Sequence, residues 1–68
     1  MITALKLARM NKGLTQKEFG ELVKMHKTTI SSVELRRVVV SEENRLKIAK
    51  AMGVKVEDFF DRESGLAI

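Results

Sequence analysis

The sequence predicts a compact all-α domain of five short helices. Three observations support this prediction: apolar residues recur at helical spacing in five stretches, the connections are only a few residues long, and glycine directly follows two of the stretches. Residues 38–40, three consecutive valines, have the β-propensity of a strand. Because no second strand is available to pair with them, they are predicted to form a loop.

The first helix is predicted over residues 2–12. Leu5 and Ala8 share one face with Ile2 at a spacing of three residues, and that face is expected to pack on the core. Gly13 follows the helix. Glycine is the expected residue just past a helix end, where the backbone adopts a left-handed conformation.

The second helix has the clearest local signal. Thr15 and Glu18 form a capping box, in which each side chain accepts a hydrogen bond from the backbone N–H of the other residue. Three apolar residues follow at helical spacing: Phe19, Leu22 and Val23. Gly20 lies inside this helix, where it costs about 1 kcal/mol relative to alanine. We therefore expect another backbone segment to pass close to Gly20.

A tight turn at residues 24–26 leads into the third helix, which is predicted over residues 27–35. Ile30 and Val33 are expected to point toward the core. The remaining face of this helix is polar, and it consists of Lys27, Thr28, Ser31 and Ser32.

The fourth helix is predicted to begin after Ser41, whose hydroxyl can cap it, and to end at Gly53. Its core-facing residues are expected to be Leu46, Ile48, Ala49 and Met52. A short last helix follows over residues 54–60. Residues 63–68 form a C-terminal tail that could pad the core, contribute to a contact between two copies, or be the stub of a longer chain.

Positive charge is concentrated in the first half of the chain. Residues 1–37 contain eight Lys or Arg and three acids, whereas residues 38–68 contain five Lys or Arg and six acids. A basic half on a small domain favours a polyanion partner such as a nucleic acid, although many soluble domains are basic for solubility alone. The three aromatic residues are too few for a surface that stacks single-stranded bases.

The composition argues against several other classes of protein. Without cysteine and with one histidine, the chain has no disulfide and no conventional metal site, so no cofactor is expected. No run approaches the roughly 20 apolar residues of a membrane span, and a cytoplasmic protein is expected. His26 has neither the activated nucleophile nor the orienting acid of a catalytic group, so an enzyme is not expected. Nothing in the sequence indicates a small-molecule ligand.

The second and third helices, joined by a three-residue turn, form a helix-turn-helix pattern. LARMNKGLTQKEFGELVKMHKTTISSVEL followed by RLKIAKAMGVKVEDFF resembles the Cro and Xre type of phage-repressor DNA-binding domain. The resemblance covers about residues 2–60 and implies a lambda-repressor-like DNA-binding domain over residues 1–62, followed by the tail. The sequence departs from the family pattern at Lys24, where glycine is usual. A lysine at positive φ there would cost roughly 1 kcal/mol.

The resemblance implies roles for individual residues. The third helix would lie in the major groove of DNA and present the base-facing residues His26, Lys27, Thr28, Ser31 and Ser32. The DNA phosphates would be bound by Gln16, Lys17, Arg36 and Arg37. Arg9 and Glu34 would form a structural ion pair that joins the first helix to the third. The competing interpretation of the polar face is a solvated helix surface without a ligand.

These features predict a sequence-specific transcriptional regulator that binds double-stranded DNA. The resemblance implies a repressor of phage or mobile-element type that acts as a homodimer on a palindromic operator. Exposed apolar patches often mark interfaces, and the predicted dimer contact consists of Val38, Val39, Val40 and Phe60. The valines could instead cover the core of their own chain. The alternative function is an antitoxin or antirepressor module that uses the same fold to bind another protein.

Overall fold

The computed structural model describes residues 2–68, and within this range the chain forms five helices. They are α1 (Ala4–Asn11), α2 (Gln16–Val23), α3 (Lys27–Glu34), α4 (Glu42–Met52) and α5 (Val56–Phe59). The predicted all-α fold is confirmed, and the helix ends lie within two residues of the predicted ones. Met1 lies outside the described range. Residues 38–40 lie in a loop, as the sequence predicts.

The five helices enclose one apolar core. Its side chains come from every helix, from the α3–α4 loop and from the C-terminal tail: Leu5, Phe19, Val23, Ile30, Val33, Val40, Ile48, Met52, Phe59, Phe60 and Ala67. The rings of Phe59 and Phe60 pack edge to face with centroids 6.5 Å apart. A chain of this length buries only about 60% of its unfolded surface, so contributions from the loop and the tail matter.

Side-chain caps fix the starts of α2 and α4. The Thr15 hydroxyl accepts the Glu18 backbone N–H at 3.0 Å, and the Glu18 carboxylate accepts the Thr15 backbone N–H at 2.9 Å, so the predicted capping box is confirmed. Hydrogen bonds from Thr15, chiefly from its backbone N–H, lower the pKa of Glu18. The Ser41 hydroxyl accepts the Asn44 backbone N–H at 3.3 Å, as expected for the cap of α4.

The turn between α2 and α3 depends on a close backbone approach. A Cβ atom on Gly20 would clash with the carbonyl oxygen of Met25, which confirms the expected passage of another backbone segment. Lys24 ends α2 in the left-handed conformation, with φ 57° and ψ 46°. This conformation costs a residue with a side chain about 1–2 kcal/mol. The turn therefore requires glycine at position 20 and keeps strain at Lys24.

Two residues predicted to face the core are exposed instead. Ile2 is 55% exposed and Leu46 is 62% exposed. Ile2 precedes the first turn of α1, so its side chain does not follow the helical spacing of Leu5. The buried residues of α4 are Ile48, Ala49 and Met52. Around the helix axis, Leu46 lies about a third of a turn away from the centre of this buried stripe.

The structure corrects the predicted dimer contact at Val40 and Phe60. Both side chains lie in the core of their own chain, where they are 4% and 1% exposed, so neither is available to a second copy. The Val40 backbone N–H donates to the Gly65 carbonyl oxygen at 2.9 Å, which anchors the end of the loop to the tail. Val38 and Val39 remain 38% and 71% exposed, so the valine run is divided between core and surface.

Residues 63–68 fold back onto the helices and pad the core. Ala67 is fully buried and forms an isolated antiparallel bridge with Phe60. The Ile68 carbonyl oxygen accepts the Ala4 backbone N–H at 2.7 Å, and the Ile68 N–H donates to the Phe59 carbonyl oxygen at 2.9 Å. The tail thereby connects the start of α1 to the end of α5.

We expect Gly20→Ala to destabilise the domain by about 1–3 kcal/mol, because the added methyl group overpacks against the Met25 carbonyl. At an unobstructed helical position the same change would stabilise by about 1 kcal/mol, so the sign of the effect is diagnostic. Urea unfolding followed by circular dichroism measures it. Gly13→Ala is the control, because Gly13 has φ 71° but open space around it, so only backbone strain changes. A Gly20→Ala protein more stable than wild type would contradict the close contact.

Candidate nucleic-acid interface

One face of α3 is polar and open to solvent. Ile30, Val33 and Glu34 are buried against the body of the domain. The other side chains of the helix are exposed or half-buried, and they are Lys27, Thr28, Thr29, Ser31 and Ser32. An α-helix fits the major groove of B-DNA, which is about 12 Å wide. Within residues 2–68, Lys27, Thr28 and Thr29 are exposed and Ser31 and Ser32 are half-buried, so this face is accessible to a duplex.

The start of α3 lies beside the first half of α2. His26 is the exposed N-cap residue of α3, and its side chain makes no capping hydrogen bond. Together with Lys17, Glu21, Met25 and Lys27 it lines a shallow depression of about 330 Å³. The structure therefore brings Lys17, predicted to bind phosphate, next to His26 and Lys27, predicted to face bases.

Arg9 and Glu34 form a buried ion pair between α1 and α3. The Arg9 Nε donates to Glu34 Oε2 at 2.6 Å and the Arg9 Nη2 donates to Glu34 Oε1 at 3.1 Å, a bidentate arrangement. The two side chains are 9% and 2% exposed. The Arg9 Nη1 also donates to the Leu14 carbonyl oxygen at 2.7 Å. The arginine thus connects α1, the α1–α2 loop and α3.

Gln16 is connected to the same carboxylate. Its Nε2 donates to Glu34 Oε1 at 3.1 Å, and its side chain is half-buried at the first position of α2. Backbone N–H groups in the first turn of a helix have no acceptor within the helix and attract anions. Glu34 therefore restrains a residue predicted to contact phosphate, beside a helix end suited to that contact.

Arg36 and Arg37 follow α3, and both are exposed. Arg36 has φ 59°, a left-handed backbone conformation, and its Nε donates to the Ala67 carbonyl oxygen at 2.7 Å. Within residues 2–68 its two terminal nitrogens make no further hydrogen bond. The backbone N–H of Arg37 donates to the Ser32 carbonyl oxygen at 2.9 Å, which closes the end of α3.

Three features of this surface escape the sequence analysis. The Gln16–Glu34 and Arg36–Ala67 hydrogen bonds join residues 18 and 31 positions apart, and no local pattern reports such contacts. The third feature is Leu35, the C-cap residue of α3, which is 53% exposed. Leu35 follows the predicted base-facing residue Thr28 by seven residues, which is nearly two helical turns, so both lie on one face of the helix. This spacing is the sequence signal that could have identified Leu35.

The chemistry of the surface is that of hydroxyl, amide and cationic groups. Among residues 2–68, no group of three or more His, Cys, Asp or Glu side chains is arranged to hold a metal ion. In the same part of the chain, no helix has the length and apolar character needed to cross a membrane.

Comparisons with known proteins agree with this geometry. A family model described as helix-turn-helix, of the Cro/C1 type, matches residues 5–59. The chain is also similar to the crystal structure of a hypothetical transcription factor, NHTF, from Neisseria, with a TM-score of 0.74 and 30% sequence identity. The match covers 93% of this chain and 65% of that one, so this chain spans just under two thirds of the neighbour's length. A comparison with curated protein sequences gave no match.

We expect Glu34→Ala to destabilise the domain by about 3–5 kcal/mol, because it leaves the Arg9 guanidinium buried without its counter-ion. This loss is a large part of the stability of so small a domain. Thermal unfolding followed by circular dichroism measures it. Glu21→Ala, which removes an exposed acid from α2, is expected to change stability by less than about 0.5 kcal/mol.

A double variant separates the ion pair from simple packing at the same place. Arg9→Met combined with Glu34→Leu replaces both charges with apolar groups and is expected to be more stable than Glu34→Ala. An unchanged melting temperature for Glu34→Ala would show that the pair does not hold α1 to α3.

Proposed function

Because the chain belongs to the Cro/C1-type helix-turn-helix family of DNA-binding domains, we propose that it is a sequence-specific transcriptional regulator that binds double-stranded DNA through α3. The observation that supports this most directly is the open polar face of α3 beside the cations at its two ends. In this proposal the protein is a cytoplasmic repressor of phage or mobile-element type, which occupies a promoter and excludes the polymerase.

The proposal divides the surface into two kinds of contact. Side chains that read base edges determine sequence, and side chains that bind phosphates determine position and overall affinity. We assign base contacts to His26, Lys27, Thr28, Ser31 and Ser32, and phosphate contacts to Gln16, Lys17, Arg36 and Arg37. Lysine can donate to guanine O6 and N7, and threonine offers a hydroxyl and a methyl group. The arginines can make charge-assisted hydrogen bonds to phosphate oxygens.

We also propose that the protein acts as a homodimer on a palindromic operator. Val38 and Val39 remain candidates for the contact, because both are exposed. A Cβ atom placed on Gly65 would lie 2.7 Å from Val39 Cγ1 and 3.3 Å from Arg45 Nη1, so both side chains lie close to Gly65. The exposed part of the valine loop therefore adjoins α4.

The α4–α5 groove extends this surface. It has a volume of about 310 Å³ and is lined by the apolar residues Leu46 and Val56 and by the charged residues Glu42, Arg45, Glu57 and Arg62. In a two-fold contact each patch meets a copy of itself, so a patch with both signs of charge can pair acids with arginines. Two acids and two arginines beside two apolar side chains meet this requirement, and we therefore propose that the dimer contact consists of the groove and the adjoining Val39.

We expect wild-type protein to bind duplex DNA with a steep dependence on salt. With about six phosphate contacts the affinity falls about 10³-fold or more between 50 and 200 mM salt, because counterions are released on binding. Gln16→Ala and Arg37→Ala should weaken binding to all sequences, whereas Lys27→Ala and Ser32→Ala should change base preference. Selection from a random duplex pool, followed by salt titrations of the four variants, measures both effects.

Lys47→Ala, which removes an exposed cation on α4, is the control for charge and should bind almost as wild type does. If all four variants change binding in the same way, the division into base and phosphate contacts is wrong. If the protein ignores duplex DNA at low salt but captures a protein at high salt, the antitoxin or antirepressor function replaces this proposal. Selected half-sites about 34 Å apart would support the dimer.

We expect charge reversal in the α4–α5 groove to control self-association. Arg45→Glu combined with Arg62→Glu makes the groove wholly acidic, and Glu42→Lys combined with Glu57→Lys makes it wholly basic. Each double variant should be monomeric alone, because like charges oppose each other, and a mixture of the two should form heterodimers. Analytical ultracentrifugation measures the three samples and wild type.

The control reverses charges of α4 that do not line the groove, with Glu43→Lys combined with Lys47→Glu, and should associate as wild type does. Self-association of both groove variants would exclude the groove as the contact. A wild-type protein that stays monomeric at millimolar concentration and on palindromic DNA would exclude the dimer itself.

A further inference from the structure

The face of α3 has few side chains that discriminate bases by hydrogen bonding. The helix contains no Arg, Asn or Gln, and Lys27 is its one residue with a bidentate pairing to a base, guanine. Its one acid, Glu34, already accepts three hydrogen bonds from Arg9 and Gln16. Lys27, the His26 side chain at the N-cap and the hydroxyl groups remain, and a hydroxyl can act as donor or acceptor, so it accepts several bases. Further discrimination has to come from another kind of contact.

Leu35 continues the exposed face of α3. Seven residues make nearly two helical turns, so Leu35 lies on the same stripe as Thr28, with Ser31 and Ser32 between them. The Leu35 backbone N–H donates to the Ser31 carbonyl oxygen at 2.9 Å, which continues the helical hydrogen bonding to this residue. Its side chain is 53% exposed on a face that is otherwise polar.

We propose that Leu35 and the methyl group of Thr28 contact the C5-methyl groups of pyrimidines in the major groove and so determine part of the base preference. This inference rests on the proposed function above. The thymine methyl is the apolar group that the major groove offers to an apolar side chain, and methylated cytosine carries the same group. The two side chains are about 10 Å apart along the helix, roughly three base-pair steps.

A contact with DNA accounts for the surroundings of Leu35 better than a contact with a second copy. In a two-fold contact each patch meets a copy of itself, so a patch with one sign of charge is repelled unless acids accompany the cations. Leu35 is followed directly by Arg36 and Arg37, and its stripe carries hydroxyl groups. This environment, in which two cations follow Leu35 and the preceding acid, Glu34, is already paired, matches a polyanion with isolated methyl groups. It differs from the α4–α5 groove, where two acids accompany two arginines.

A double-mutant cycle between protein and DNA tests the inference. In an operator selected from random duplexes, each thymine is replaced in turn by deoxyuridine, which lacks only the methyl group, and each cytosine by 5-methylcytosine. Wild type is expected to lose about three- to fivefold in affinity at two thymines roughly three base pairs apart. Leu35→Ala should be insensitive at one of them and Thr28→Ser at the other. When either thymine is replaced by cytosine with a matching guanine opposite, 5-methylcytosine at that position should bind wild type more tightly than cytosine does.

Leu22→Ala is the matched control, because Leu22 is 61% exposed on α2 and its truncation should leave every methyl sensitivity unchanged. Leu35 and Leu22 are both exposed, so both variants should keep the wild-type melting temperature. Equal methyl sensitivities in wild type and Leu35→Ala overturn this inference and leave the proposed function standing. Loss of self-association in Leu35→Ala with unchanged methyl sensitivities overturns it as well. Failure of wild type to bind any duplex overturns both.

Discussion

The buried ion pair between Arg9 and Glu34 is the interaction on which the arrangement of this domain depends. A buried charge is tolerated only when its hydrogen-bonding groups are satisfied, and here the carboxylate accepts three hydrogen bonds while the guanidinium makes a further bond to Leu14. Glu34 is the last residue of α3, so the pair fixes the end of that helix against α1. Side chains keep fixed positions around the axis of a helix, so fixing the buried side of α3 also fixes the direction of its polar face.

The helix-turn-helix and the tail show two ways in which a small domain holds its geometry without disulfides. In the turn, Gly20 permits a close backbone approach, and the rest of the fold holds Lys24 in a strained conformation. In the tail, backbone hydrogen bonds and the buried side chain of Ala67 enlarge a core that the helices alone would leave small. Both arrangements restrain residues on either side of α3.

Structural features that depend only on residues close together in the sequence could be predicted. The Thr15–Glu18 cap, the Ser41 cap and the requirement for glycine at position 20 are local, since each depends on residues a few positions apart. Contacts between distant segments could not be predicted from spacing. Helical periodicity shows that Leu46 lies near an apolar stripe but does not show where the core ends.

The candidate site divides in the same way. The polar face of α3 is visible in the sequence, because it needs only the period of one helix. The burial of Val40 and Phe60 and the restraint of Gln16 by Glu34 depend on how the loop and the tail pack. These residues acquire their surroundings from partners 18 or more positions away or from the whole core, and a single sequence does not record such neighbours.

The hydrogen bond from Arg36 to the Ala67 carbonyl has a thermodynamic consequence. Coupling between two binding events is reciprocal. The change that tail docking makes in the free energy of anion binding at the Arg36 guanidinium therefore equals the change that anion binding makes in the free energy of tail docking. If Arg36 binds phosphate as proposed, docking of the tail and binding of the anion are therefore two sides of one equilibrium. A change that alters the docking of residues 63–68 is then expected to alter the affinity of Arg36 for the anion as well.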